Sequence, residues 1–271
     1  MFKKLKRIIR IYFKYFMNSA KIHFYYNDMF MVLFGCLARD SVAVISIYFI
    51  TQRFFDIGGW AMDELLFLYS LLYLSYGLSM LFFAGGRSVE EDISTGTFDR
   101  YLVTPMSVFF QSVVAKVDLL TSASYCILGI ALFKYASDSV GIFWDSRKII
   151  ILILSLIGGM LIQSALMLIG SILAFWTVKS GNVRFILFFN IRSFSIYPIN
   201  IYPKIVRFIL TFILPFAFAN FYPAQYILGK DGIEASETLF AFGSLGVGII
   251  VFLIVYAFWR VGIKNYKSSG N

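Results

Sequence analysis

The side chains able to do chemistry are few and mostly dispersed. His23 is the one histidine, Cys36 and Cys126 both fall inside apolar runs, and no His, Cys and acid grouping has metal-site or metalloprotease spacing. No Gly-x-x-x-x-Gly-Lys-Ser/Thr phosphate loop occurs either. These absences predict a chain with no catalytic residue, no metal site and no cofactor of its own. The cysteines read as small hydrophobes without a disulfide or redox role. What stands out instead is one polar island, "GGRSVEEDISTGTFDRYLVTPMS", residues 85–107. It carries Glu90, Glu91 and Asp92, a Ser94-Thr95-Gly96 break and a Thr104-Pro105 stop. Carboxylates in that setting favour helix starts and pair with cations, which is recognition chemistry.

The elements that must carry this island are set by composition. The chain has 271 residues, of which 59% are hydrophobic, 19% aromatic and only 14% charged, and its mean hydropathy is +0.78. Soluble domains carry about 25% charged residues, so an all-α integral membrane protein is expected. The net charge of +9 gathers at the N-terminus, at Lys3, Lys4, Lys6, Arg7, Arg10, Lys14 and Lys21. Leu5, Ile8, Ile9, Tyr12 and Phe16 recur among these cations at helical spacing. That pattern favours an amphipathic helix over residues 1–28 lying in the headgroup layer, with a topogenic charge cluster as the alternative, and it disfavours a nucleic-acid-binding arm. The apolar core and small-residue cleavage site of a signal peptide are missing.

Residues 29–271 then read as one six-span domain. Spans are expected at about 29–50, 65–83, 113–133, 149–176 and 239–259. The fifth is divided. "NVRFILFFNIRSFSIYP" is short and carries Asn190 and Arg192, while the following segment is interrupted by Pro215. One piece spans and the other forms a broken re-entrant hairpin. Either residues 204–228 are that hairpin, or "NVRFILFF" lies along the cytoplasmic face and the proline-bearing segment is the fifth span. Irregular backbone is permitted only where protein or water covers it. Lysine and arginine near the span ends put both termini and residues 84–112 in the cytoplasm and residues 229–238 outside. Arg147 and Lys148, and Lys204 and Arg207, run against that charge rule.

Within the island, Thr97 to Val103 predicts a short helix, ended because a residue before proline is pushed out of the helical region. Phe98, Tyr101 and Leu102 would be costly decorations on a solvated loop. They are expected to be buried in a partner protein, making residues 96–107 a handle, with Asp92 capping the helix start or pairing with a basic residue of that partner. At this point the sequence resembles the ABC-2-type exporter permeases, on Asp92, Gly96, Thr97, Phe98, Leu102, Thr104, Pro105, Ser107 and Lys116. Glutamate is frequent in that family where Asp92 stands. A six-span subgroup also resembles Gly58 to Tyr69, Tyr197 to Gly229 and Phe258 to Asn271, so the likeness runs almost the whole length.

The resemblance implies one transmembrane half of an ABC exporter in the cell membrane, without an ATPase domain. ATP and Mg would be held by a partner ATPase present in two copies, and the second permease chain would be identical or related. The helix between spans two and three would dock in a groove of the ATPase, braced by the N-terminal helix. The alternatives are an ion-coupled secondary transporter, which expects internal repeats and buried acids, and a non-transporting membrane scaffold for an ATPase. The exported substrate is not specified, and no nucleic-acid partner is expected. Arg39 and Asp40 either pair inside the bundle or at a dimer seam, or sit near the inner headgroups. Asn190 and Arg192 either line the path or mark a shallow segment. The glycines at 158, 159, 170 and 243–248 permit close helix packing. The aromatic density from Phe185 to Tyr226 favours packing over a substrate cage, and a cage would suit an apolar or cationic amphipath.

Overall fold

The computed structural model describes residues 2–25, 29–53, 56–177, 180–230 and 235–267, and among them helices are the only regular elements. Lys179, residues 231–234 of the expected outer loop, and the side chains of Leu5, Ile8, Ile9 and His23 lie outside what is described. The helices are α1 (Phe2–Tyr25), α2 (Met29–Arg53), α3 (Met62–Phe83), α4 (Val89–Ser94), α5 (Asp99–Leu102), α6 (Leu119–Val140) and α7 (Ser146–Ile172). They continue as α8 (residues 181–194, with a wide π turn at Phe185–Asn190), α9 (Lys204–Ile213), α10 (Phe221–Leu228) and α11 (Ala235–Asn265). Five stretches are long and apolar enough to cross a membrane, or six if the pair α9 and Phe216–Leu228, bent by 73°, counts as one.

Polar contacts at the helix ends show how the chain threads. Ser139 at the end of α6 donates to Asp63 at the start of α3 (2.6 Å), and Asn200 donates to the Gly58 carbonyl (2.8 Å). The opposite end is marked by Glu90, which accepts from the Ser180 and Gly181 amides at 2.8 and 2.7 Å. The chain between Gly181 and Asn200 therefore runs from the Glu90 end to the Gly58 end, although α8 is only 14 residues, or about 21 Å, long. The bent pair starts beside Asn200 and finishes at Lys230, which donates to the Gly59 carbonyl (2.8 Å). Its turn sits inside the bundle, where the Asn220 amide donates to the Ser195 carbonyl (2.7 Å). Residues 204–228 thus enter and leave at the same end, and 181–200 make the fifth crossing. The carbonyls freed at the turn are covered by protein, as apolar surroundings require.

Several expected boundaries moved, and at two of them a side-chain cap sets the new start. The third crossing begins at Leu119 because Asp118 caps α6, accepting from the Thr121 amide (3.0 Å), while its own amide donates to the Met80 carbonyl (3.3 Å). Val113 and Val114, expected to open that span, belong instead to a π turn over Phe110–Val114 at the Glu90 end. The fourth crossing starts earlier, at Ser146, behind the Asp145 cap.

The main core lies among α3, α6, α7 and the hairpin, with Leu65, Phe67, Leu68, Leu71, Leu72 and Phe216 fully or almost fully enclosed. Helices α7 and α11 cross backbone to backbone: a methyl group on Gly248 would stand 2.6 Å from the Gly158 carbonyl. The glycines at 158 and 248 therefore meet each other within one chain.

Candidate functional site

The polar island folds as two short helices around a left-handed corner. Gly96 has φ +72°, a conformation that side chains with a Cβ resist, and this reverses the chain between α4 and α5. The Phe98 amide donates to the Asp92 carbonyl (2.9 Å), and the Thr95 and Thr97 hydroxyls meet at 2.9 Å, closing the corner. Beyond α5, Thr104 donates to the Arg100 carbonyl (2.8 Å) just before Pro105.

Phe98 is where structure and expectation part. Its ring has no solvent exposure and lies 5.2 Å from Phe175, 5.0 Å from Tyr266, 5.7 Å from Tyr101 and 6.1 Å from Trp259. Tyr101 is buried as well, whereas Leu102 is 45% and Val103 84% exposed. The expectation that Phe98 and Tyr101 are buried in a partner is corrected: rings at the ends of this chain's own fourth and sixth crossings enclose Phe98, and Tyr101 is buried against Phe98, Asp92 and Lys116. The apolar surface left outward is Leu102 and Val103.

Asp92 is corrected in the same way. Its carboxylate pairs with Lys116 (2.6 Å) and accepts from the Tyr101 hydroxyl (3.3 Å), so its cation is internal. Lys116 also donates to Ser88 (2.7 Å) and lies 5.8 Å from the centre of the Tyr101 ring. Gln111 donates to the Met106 carbonyl (3.1 Å), tying the far side of the loop to the bundle. Beneath this cluster Arg87 pairs with Asp118, and Arg184 donates to the Arg87 carbonyl. Tyr266 near the end of the chain donates to Asp99 (2.8 Å). Through Glu90, Phe98 and Asp99 the island is thus tied to the ends of crossings four to six.

Helix α1 lies alongside. Tyr12 donates to the Leu81 carbonyl (2.8 Å) and stacks on Phe82, and Ser19 donates to the Val117 carbonyl (3.1 Å). Burial pushes the Tyr12 hydroxyl up to about 12, so it stays a proton donor at neutral pH. A cavity of about 600 Å³ separates α1 from the island, walled by Tyr15, Asn18, Arg100, Thr104 and Lys116.

Deep in the bundle a second polar group forms around Arg192. The guanidinium carbon lies 4.5 Å from the Tyr76 ring centre, 5.8 Å from Tyr125 and 5.9 Å from Tyr73, and Nε donates to Gln163 (2.9 Å). Its Nη2 is buried without a hydrogen-bond partner among the described residues, so aromatic faces take the place of acceptors. Gln163, which the sequence reading missed, is fully buried and also donates to Ser75 (2.6 Å). Its polar side chain within an apolar run was the available signal. Asp40 is buried and holds Arg39 (2.8 Å), its backbone carbonyl accepts from Tyr73 (2.9 Å), and Ser124 donates to its carboxylate (3.3 Å). Arg39 itself is mostly exposed, and Asn190 faces outward from α8. The four residues singled out from the sequence therefore divide: Asp40 and Arg192 point into the bundle, and Arg39 and Asn190 do not.

The fold is that of a multi-pass helical membrane protein, with a structured island at one end and a re-entrant hairpin at the other. A family model described as "ABC-2 family transporter protein" matches residues 37–270, and the chain belongs to that family. Neither a curated protein nor a solved structure matches it. Family membership makes the chain the membrane permease component of an ABC transporter, a kind of component that works with an ATPase in a lipid bilayer.

Proposed function

We propose that the chain is the permease subunit of an exporter, moving its substrate across the cell membrane while two copies of a separate ATPase hold and hydrolyse Mg-ATP. The Glu90 end faces the cytoplasm, with both termini, and the Gly58 end faces outward. The observation that carries the reading is the divided burial of residues 96–107. Phe98 fixes the island to α11 and to Phe175 just beyond α7, with Tyr101 packed against it, while Leu102 and Val103 face away from the chain. Such a segment transmits force: the outward tip is held by the ATPase, and the inward rings pass its displacement to the crossings. A second permease chain, identical or related, supplies the other wall of the path. The ATPase would bias an equilibrium between inward and outward arrangements through its different affinity for the two.

Ion-coupled transport finds less support. That reading needs buried acids free to take up a coupling ion, yet Asp40 is held by Arg39, and Asp118 caps α6 beside Arg87. The test is recovery of the ATPase with the tagged permease, normalised to the amount of permease in the membrane. Leu102→Glu with Val103→Glu should abolish recovery and leave permease abundance at the wild-type level. Wild-type recovery with that double variant would refute the coupling role.

A further inference from the structure

At the Gly58 end a cavity of about 720 Å³ opens between the hairpin and the rim of the bundle. One wall is a single stripe of α9, namely Lys204, Arg207, Phe208, Thr211 and Phe212, at the i, i+3, i+4, i+7, i+8 spacing of one helix face. The stripe is graded. The two cations stand at the start of α9, beside the rim, and the two rings follow one and two turns deeper. The facing wall holds Trp60, Asn200, Tyr222 and Lys230. Lys230 is already satisfied, pairing with Glu64 and donating to the Gly59 carbonyl (2.8 Å). Lys204 and Arg207 have no acidic partner among the described residues.

We propose that this cavity holds the phosphate-bearing head of an anionic amphipathic molecule, with its apolar chain laid along Phe208 and Phe212. The inference rests on reading the chain as a permease only for what the molecule is to the cycle, since the site itself follows from geometry. Its volume falls within the range of small-molecule sites, about 300–1,000 Å³. Phe208 and Phe212 are 55% and 63% exposed, so the cavity opens sideways, where an amphipath arrives from the bilayer with its head at the interface. Two cations without an acidic partner among the described residues, set on one cavity wall, give that wall a positive charge that an anionic head answers. The amphipath with a cationic head considered from the sequence is disfavoured by the same two charges. Two sources share the chemistry, a resident phospholipid and the exported cargo.

The test uses the full chain in nanodiscs of phosphatidylcholine containing a minority of phosphatidylglycerol, with bound lipid read by native mass spectrometry after release. Wild type should retain phosphatidylglycerol in preference to phosphatidylcholine. Lys204→Gln with Arg207→Gln should weaken that preference roughly tenfold, the loss of two cation–phosphate contacts. Arg147→Gln with Lys148→Gln removes the same charge from the same end, outside the cavity, and should leave the preference intact. Equal retention by wild type and the Lys204/Arg207 variant, or equal loss in the Arg147/Lys148 control, would overturn the site. With the ATPase bound and ATP added, release of the lipid identifies cargo and retention identifies a resident lipid; either outcome upholds the site. Failure of an ATPase to copurify would count against the permease reading alone, because the retention measurement does not depend on it.

Discussion

Replacing Phe98 by alanine separates the two roles of the island. The ring is fully enclosed and lies within 5.0–6.1 Å of four other rings, so nothing nearby can fill its space without moving α11 or the turn that carries Phe175. Truncating such a phenylalanine costs about 3–5 kcal/mol, the transfer term plus the cavity left behind. Phe98→Leu keeps much of the volume and should cost roughly 1–2 kcal/mol, mainly the edge-to-face ring contacts. Both costs can be measured by reversible detergent-induced unfolding in mixed micelles, followed by tryptophan emission, because Trp259 is part of the same cluster. ATPase recovery per folded permease should be unchanged in Phe98→Leu, since Leu102 and Val103 are untouched. A Phe98→Ala protein that unfolds like wild type but fails to recover the ATPase would place the ring in the partner and refute this reasoning.

Other expectations follow from the same contacts. Lys116→Met strips Asp92 of its cation and should destabilise the permease by about 2–4 kcal/mol, with Asp92→Asn in the same chain recovering most of the loss in the same unfolding assay. Gln163→Leu leaves the Arg192 Nε–H buried and unpaired and should cost roughly 1–3 kcal/mol. Arg192→Met should be milder for stability, because an apolar side chain of similar length suits the tyrosine cage; a larger loss for Arg192→Met than for Gln163→Leu would contradict this. Gly248→Val should force α7 and α11 apart and cost about 1–3 kcal/mol or more, whereas Gly246→Val, with open space at its Cβ, should be nearly neutral in the same measurement.

The parts of this fold legible in the sequence were those encoded locally. Long apolar runs announced α2, α3, α7 and α11, and the Gly96 break and Pro105 stop bounded the island. The third crossing was displaced because Val113 to Ala115 are as apolar as a span, and only Asp118, as a cap, marks where α6 starts. Phe98 was recognisably buried, but its pattern could not say in what, since Phe175, Trp259 and Tyr266 come from distant segments. Lys116 was noticed as part of a motif without its role being evident, because pairing with Asp92 requires the loop between them to fold back. The Arg192 cage was invisible for the same reason: its tyrosines and Gln163 come from three separate helices. Composition alone could not rank 181–200 against the hairpin, whose better hydropathy hides that it returns to the end it came from.

The cage around Arg192 bears on how the chain is made. A lone arginine at the centre of a bilayer costs about 2.5–3.5 kcal/mol on insertion scales, and α8 has only 14 residues with which to offset it. Such a segment would enter the membrane poorly by itself. Every group that receives the guanidinium is nonetheless synthesised earlier: Tyr73 and Tyr76 in α3, Tyr125 in α6 and Gln163 in α7. When α8 leaves the ribosome, the surface that accepts its charge has already been delivered. Biogenesis of the fifth crossing is therefore a docking onto finished neighbours, and a chain whose α3 or α6 is delayed would leave α8 stranded at the interface.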